Sequence, residues 1–296
     1  MFDHLKHTIS TLLLLLCVST YSSYAQQDKT VSTAVDLRIF TDYVSVHSKD
    51  KDKPIGELII ETGTYFSGKP YVASTLEVAD PEKLVVNLRE FDCTTFVESC
   101  LALARTLKDE AFDTHQTPEE NFEIYKNKLR EIRYRSGKLN GYPSRLHYFS
   151  DWISDNQTKG IVTDITQAVG GIKFPIEVGF MSANPDKYNQ LKYNIVFTEE
   201  IAETEAVINS RTYYYIPKNN INKVQSLIKD GDIIAFTTNI PGLDISHVGY
   251  AIRQKGKLHL LHASLTGKKV VVSTQPLVDY TQSVRRHTGI MVVRPD

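Results

Sequence analysis

The stretch "FDCTTFVE", Phe91 to Glu98, sets a cysteine directly after an aspartate and at the head of an apolar repeat. From Thr95 to Lys108 the side chains Phe96, Cys100, Leu103, Ala104 and Leu107 recur at helical spacing, which predicts a helix. Asp92 has the short acceptor side chain that caps a helix N-terminus, so Cys93 falls on the first helical position. Unsatisfied backbone N–H groups and the positive end of the helix dipole meet there and favour a thiolate. Two readings stay open on position alone. Cys93 is either a nucleophile with a lowered pKa or a small buried hydrophobe beside an ordinary cap. Cys100, mid-helix on the apolar stripe, reads as a core residue.

The first 25 residues have the parts of an export signal: Lys6, an apolar run from Leu12 to Val18, and Ser23-Tyr24-Ala25 as a small-x-small cleavage site. Cys17 follows Leu16 rather than a small residue, which argues against a lipidation site. The expected mature chain begins near Gln26, is soluble and periplasmic, and carries no membrane anchor, because no later apolar run approaches the ~20 residues a membrane helix needs. Residues 26–296 are expected to form a single domain with a substantial core. Hydrophobic residues make up 41% and charged residues 23% of the chain, in the range of an ordinary globular protein. The net charge of -1 gives no reason to expect nucleic acid or an anionic membrane as a partner. Cys93 and Cys100 sit too far apart along one helix, at ~10 Å of rise, to bridge each other. An exported chain without a disulfide framework has either inert cysteines or a reactive one.

Outward from the cysteine, Ile55 to Thr62 reads as a short helix or strand. A second helix is predicted from Pro118 to Ile132, with Phe122, Tyr125, Leu129 and Ile132 on one face. A further short helix is expected from Arg145 to Ile153. The second half turns to alternating and β-branched runs at 212–217, 232–237, 247–253, 258–263 and 269–274, with Gln254-Lys255-Gly256-Lys257 as a hairpin turn. Helices first and a largely antiparallel sheet second make an α+β architecture. Residues 156–205 are the least readable and fit an insertion packed on the core.

A nucleophilic cysteine needs a base, which directs attention to the nine histidines. His4 and His7 belong to the export signal, His47, His115 and His287 lie in polar stretches and read as solvated, and His147 belongs to an aromatic segment. His247, in Asp244-Ile245-Ser246-His247-Val248-Gly249-Tyr250, stands where a loop enters a strand, a suitable seat for a base. His259 and His262 lie on the partner strand and, by alternation, on opposite faces, so at most one shares a face with His247. The same alternation weakens a zinc reading of that pair. The competing reading leaves all of these as satisfied core histidines.

Taken together, Gly68-Lys69-Pro70-Tyr71, Asp92-Cys93, Gly231 to Phe236, Ser246-His247-Val248-Gly249 and Leu260-Leu261-His262-Ala263, in this order, resemble the papain-like NlpC/P60 superfamily of cell-wall cysteine hydrolases. The spellings "PYVASTLE", "DCTTFVES", "GYPSRLHYFSDWI" and "DISHVGYAI" resemble its DUF1460 branch, described as N-acetylmuramoyl-L-alanine amidase-like. The resemblance runs from about Gly68 to the C-terminus. It implies a papain-like NlpC/P60 fold with helical and loop insertions, Cys93 as nucleophile, His247 as general base and His262 as the orienting third residue. It further implies that Tyr71 supports the oxyanion beside Asp92-Cys93. Substrate contacts are expected from Arg145, as a carboxylate clamp or else an internal partner of Asp151, from Tyr148 and Trp152 as an apolar wall, and from Ser246. Met181-Ser182-Ala183-Asn184 also belongs to the branch pattern.

The implied activity is hydrolysis of the bond between N-acetylmuramic acid and L-alanine in peptidoglycan or its fragments, with muramyl peptides as partners and neither metal nor organic cofactor. An endopeptidase cutting between D-glutamate and a diamino acid would use the same residues. A silent module binding wall peptide is the alternative from another class.

Overall fold

The computed structural model describes residues 30–78 and 81–296, so the expected export signal lies outside the described residues. The chain opens with β1 (Thr30–Val31), α1 (Ala34–His47) and α2 (Ile55–Tyr65). Next come β2 (Leu84–Val85), which pairs in parallel with β1, then α3 (Cys93–Leu107), α4 (Pro118–Arg133) and α5 (Phe149–Thr158). β3 (Val162–Asp164), β4 (Ile172–Phe174), α6 (Phe180–Ala183) and α7 (Ile195–Asn209) fill the stretch that the sequence left least readable. The remainder is β5 (Tyr213–Pro217), α8 (Ile221–Val224), β6 (Ile233–Thr238), β7 (Ile245–Gln254), β8 (Lys257–Ser264), β9 (Lys269–Val272), α9 (Leu277–Ser283) and β10 (His287–Pro295).

The main sheet runs β4-β5-β10-β6-β7-β8-β9, with β3 also pairing with β10, and every pairing in it is antiparallel. This is the α+β arrangement expected, helices leading and an antiparallel sheet following. At the β7–β8 hairpin, Lys255 (φ 50°) and Gly256 (φ 78°) are both left-handed, the conformation a two-residue turn needs to match the strand twist. β10 was not anticipated, although Ile290 to Val293 forms an apolar run buried on both faces of the sheet. The helix expected from Arg145 begins later, at Phe149. Arg145 is instead extended and bridges to Tyr134, and Leu146 donates to the Arg133 carbonyl at 3.0 Å.

Reciprocal side-chain caps start the helices that matter here: Thr33 with Asp36, Asp92 with Thr95, and Thr117 with Glu120. The sheet buries both faces. On one, α3 lies across β7 and β8, its Phe96 ring 6.1 Å from that of Tyr250, whose hydroxyl donates to the Val97 carbonyl at 2.7 Å. α2 closes on the same core through Gly63, where a Cβ would come within 2.7 Å of Leu261 and 3.1 Å of Phe96. On the other face Ile221, Ile228 and Leu277 cover Phe236, Leu260 and Ile290. Catalytic-type residues thus arrive from two layers: a helix start above the sheet, and strand ends within it.

Candidate active site

Asp92 occupies the N-cap with extended backbone (φ -90°, ψ -178°), and its Oδ1 accepts from the Thr95 N–H at 2.7 Å. Cys93 is therefore the first helical residue, as its spacing predicted. A short extended segment runs beside it: Phe91 donates to the Pro70 carbonyl and Val72 to the Phe91 carbonyl, each at 3.0 Å. This pairing sets Tyr71 alongside Asp92 and Cys93, and the Tyr71 N–H is anchored to the Lys268 carbonyl at 2.9 Å.

The electrostatics differ from the sequence expectation. The backbone N–H groups of Val248 and Thr94 and the Thr94 side chain, all near the Cys93 sulfur, favour a thiolate. Burial and the adjacent Asp92 carboxylate outweigh them and push the thiol up to about 11. Cys93 thus rests as a neutral thiol, and the helix start does not by itself ionise it. Cys100 is fully buried and its thiol is raised further by desolvation alone.

His247 enters β7 through a bulge. Phe236 pairs with His247 and Thr237 with Ile245, which leaves Ser246 as the extra, exposed residue. The His247 Nε2 lies 2.6 Å from the Nδ1 of His262 on β8. His259, on the other face of the strand, instead bonds the Ser273 carbonyl through Nδ1 at 2.8 Å. With Nε2 engaged by His262, Nδ1 is the His247 nitrogen left for a base. For Nδ1 to hold a free lone pair, the His247 proton must sit on Nε2 and be donated to His262 Nδ1, which in turn places the His262 proton on Nε2.

Gly249 makes room for this pair. It shares the His247 face of β7, and a Cβ there would stand 2.9 Å from the His262 Cβ, the Leu260 Cδ1 and the Leu261 carbonyl oxygen. Gly249→Ala is expected to push the His262 side chain away from His247 and to lower turnover at least about tenfold. Measured turnover within twofold of wild type would contradict this.

Sequence reasoning missed the residues that enclose the pair. Tyr280 on α9 faces Phe236, His247, His262 and His287, with ring centroids 5.5, 6.3, 5.4 and 6.2 Å away. His287, expected in solvent, is 4% exposed and stacks on Phe236 at 4.6 Å. The β10 backbone carries it into the sheet beside Thr238. His47 is likewise half-buried, its Nδ1 3.4 Å from Asp50. The signal for Tyr280 lay only in a Pro276-capped helical turn that follows the last hairpin.

Burial, with His262 and His287 nearby, drives His247 well below 6.5, and burial lowers His262 to about 4. His287 is also lowered to about 4, by burial first and then Lys218. In the unfolded chain these imidazoles take up protons near pH 6.5, so below that pH the unfolded state binds more protons than the folded one. Stability is therefore expected to be full above about pH 6.5 and to fall toward pH 4, by on the order of 3 kcal/mol for each of His262 and His287. A melting temperature flat between pH 7 and 4.5 would contradict this.

The expected substrate contacts behave otherwise. Trp152 is fully buried and stacks on Phe149 at 4.7 Å, so it offers no wall to a ligand. Tyr148 is buried too, its hydroxyl donating to Glu205 at 2.6 Å and accepting from the Met181 N–H at 3.0 Å. Arg145, 5% exposed, lies 3.2 Å from both Glu77 and Glu82 and over the Tyr142 ring. Its expected internal partner, Asp151, is held by Arg135 and Arg211 instead, at 2.7 and 2.6 Å. This branch-specific segment is a buried scaffold: through Glu205, which also accepts from the Ser182 N–H, it fixes Met181 to Asn184. Of these, Ala183 and Asn184 border an open cleft of about 630 Å³ between the segment 174–184 and the β6–β7 loop, the loop that leads to His247.

One group of potential metal ligands occurs among the described residues, His47, Asp50 and Glu61, with ligand atoms within 4.8 Å of one another. It lies on α1, the turn that follows it, and α2. Lys53 pairs with Asp50 and Glu61 at 3.0 and 2.6 Å and accounts for the cluster as an ion-pair network.

A family profile described as AmiA-like, N-acetylmuramoyl-L-alanine amidase-like, matches residues 61–290. The chain belongs to this family. The matched span includes the helix start, the bulged strand and the hairpin that carry Cys93, His247 and His262. An N-acetylmuramoyl-L-alanine amidase from Bacteroides uniformis ATCC 8492, solved at 1.07 Å, is 38% identical over 82% of this chain and 99% of its own, with a TM-score of 0.76. A Bacteroides fragilis structure provisionally described as a xylanase is 41% identical over 79% of this chain and 99% of its own, at a TM-score of 0.72. The Legionella pneumophila protein LPG0564, a DUF1460 structure, shares the fold at 23% identity, covering 90% of this chain and 97% of its own with a TM-score of 0.66. No curated protein matches. Among the described residues no helix of this AmiA-like protein is long and apolar enough to cross a membrane.

Proposed function

We propose that this AmiA-like protein is an exported, periplasmic cysteine amidase with a papain-like NlpC/P60 active site, cleaving the bond between N-acetylmuramic acid and L-alanine in peptidoglycan-derived muramyl peptides. The observation that carries this reading is Cys93 as the first residue of α3, its sulfur close enough to the Val248 N–H of β7 to feel it, one residue beyond a His247 whose Nε2 lies 2.6 Å from His262 Nδ1. The expected export signal and its Ser23-Tyr24-Ala25 site support the compartment.

Because the thiol is neutral at rest, nucleophile activation is a transfer rather than a preformed ion pair. His247 Nδ1 takes the thiol proton as sulfur attacks the lactyl carbonyl, and His262 stabilises the resulting imidazolium by accepting the His247 Nε2–H at its Nδ1. The Cys93 N–H, unsatisfied within the helix, and the Tyr71 hydroxyl hold the oxyanion. Burial and the nearby Cys93 and Asp92 raise Tyr71 to about 12, so it stays a protonated donor. His247 then protonates the L-alanine amine as the C–N bond breaks. Water, deprotonated by His247, cleaves the thioester and regenerates Cys93. The base needs only to be neutral, so with His247 lowered well below 6.5 the acid limb of kcat/KM is expected below that pH. An acid limb at or above pH 6.5 would contradict a buried neutral base.

A glycosidase reading, which the Bacteroides fragilis description raises, needs two carboxylates facing each other across the scissile bond. The carboxylate beside Cys93, Asp92, is committed to capping α3, which disfavours that chemistry here. The cleft of about 630 Å³ beside the β6–β7 loop is the proposed seat for the substrate's flank, and the exposed Ser246 follows that loop in sequence, directly before His247. An N-acetylmuramoyl tripeptide and the same tripeptide without its sugar separate amidase from endopeptidase. Hydrolysis of the first only is expected. Equal or faster hydrolysis of the sugar-free peptide would assign the endopeptidase instead.

A further inference from the structure

We propose that Tyr280 is a positioning residue that holds the His247–His262 pair in its working orientation, an inference that rests on the proposed amidase site for its kinetic arm only. His247 pairs with Phe236 on β6 and His262 with Val271 on β9, but the ladder between their own strands, β7 and β8, stops at Tyr250–Leu261, so backbone pairing does not fix the two rings against each other. Something else must, since a proton can pass from Cys93 to His247 Nδ1 only while Nε2–H stays on His262.

Tyr280 supplies that constraint from α9. α9 is pinned to the sheet by the fully buried Leu277 and Thr281, and this sets the Tyr280 ring over the pair. The ring stands nearly perpendicular to His262, at 80° with a centroid separation of 5.4 Å, and tilted 41° over His247 at 6.3 Å. Phe236, stacked between His247 at 5.8 Å and His287 at 4.6 Å, closes the sheet side. The dyad is thereby held between a helix ring and a strand ring, and rotation of His262 away from His247 would drive it into Tyr280. His287, whose Nδ1 is buried without a partner, completes the wall behind Phe236. Burial and the nearby Cys93 raise the Tyr280 hydroxyl to about 12, consistent with a neutral ring facing the reacting sulfur.

The test compares Tyr280→Phe, which keeps the ring, with Tyr280→Leu and Tyr280→Met, which remove it. Turnover of the N-acetylmuramoyl tripeptide and the 15N signals of the imidazoles are measured on each. Tyr280→Phe is expected to keep kcat within about threefold, while either ring-less variant loses about 10- to 100-fold in kcat with little change in KM. The 15N signals should show one tautomer of His262, protonated at Nε2, in wild type and Tyr280→Phe, and exchange-averaged nitrogens in the ring-less variants. Unchanged signals and kcat in Tyr280→Leu or Tyr280→Met would overturn the proposal. So would a loss in Tyr280→Phe as large as in the ring-less variants, which would assign the effect to the hydroxyl. Should wild type not cleave the muramyl peptide, the amidase reading fails, while the imidazole signals still decide whether Tyr280 holds the pair.

Discussion

Cys93→Ala is expected to abolish hydrolysis of the muramyl peptide, with turnover falling by on the order of 10⁴-fold or more, while the melting temperature stays close to wild type. The catalytic loss is large because the covalent route has no second nucleophile: the only other described cysteine, Cys100, is buried mid-helix. The stability loss is small because the cap that starts α3 belongs to Asp92 and Thr95, not to the sulfur. Cys93 and His247 act as one unit, so the double variant Cys93→Ala/His247→Ala should be little worse than either single one. Stopped assays on the three purified variants check this. Residual turnover within tenfold of wild type, or doubles whose losses multiply, would contradict the assignment.

Arg133→Ala carries the largest expected cost to stability, about 3–5 kcal/mol. Arg133 on α4 reaches into the core beneath α3, the helix that begins at Cys93, where its Nε donates to Glu98 at 2.7 Å and its Nη1 to the Val85 carbonyl at 2.6 Å. Both side chains are 2% exposed, so removing the guanidinium leaves a carboxylate without solvent or partner. Burial already pushes Glu98 upward against the pull of Arg133, and without Arg133 the acid would be forced to protonate. The paired replacement Arg133→Leu/Glu98→Leu is expected to recover much of the loss, because it removes the stranded charge. Chemical denaturation of the single and double variants reads both effects. A loss below about 1 kcal/mol for Arg133→Ala would show that the pair does not tie α3 to α4.

The helix start was legible because an aspartate, a cysteine and an apolar repeat in that order leave few alternatives, and the residue at the first helical position followed. The His247–His262 pairing was partly legible, since alternation alone excluded one of the two candidate partners and a family spelling chose between them. The protonation state of Cys93 was not. It depends on how completely the folded chain surrounds the sulfur and on the charge of its own cap, and both oppose the helix dipole. Arg145, Tyr148 and Trp152 show a different failure: side chains able to clamp and stack do so against Glu82, Glu205 and Phe149 rather than a ligand. Tyr280 and His287 escaped notice because their contacts arise only when α9 and β10 fold back over β6 and β7. Strand pattern identified β5 through β9, whereas β10 and the segments between residues 156 and 205 depend on what packs against them.

Mass spectrometry of the products formed from N-acetylmuramoyl-L-alanyl-D-glutamyl-diamino acid, with Cys93→Ala as control, tests the central claim most directly. Free N-acetylmuramic acid and the intact tripeptide, from wild type only, are the predicted products. Release of N-acetylmuramoyl-L-alanyl-D-glutamate with a free diamino acid would contradict the amidase assignment, and an unaltered substrate would contradict the enzyme.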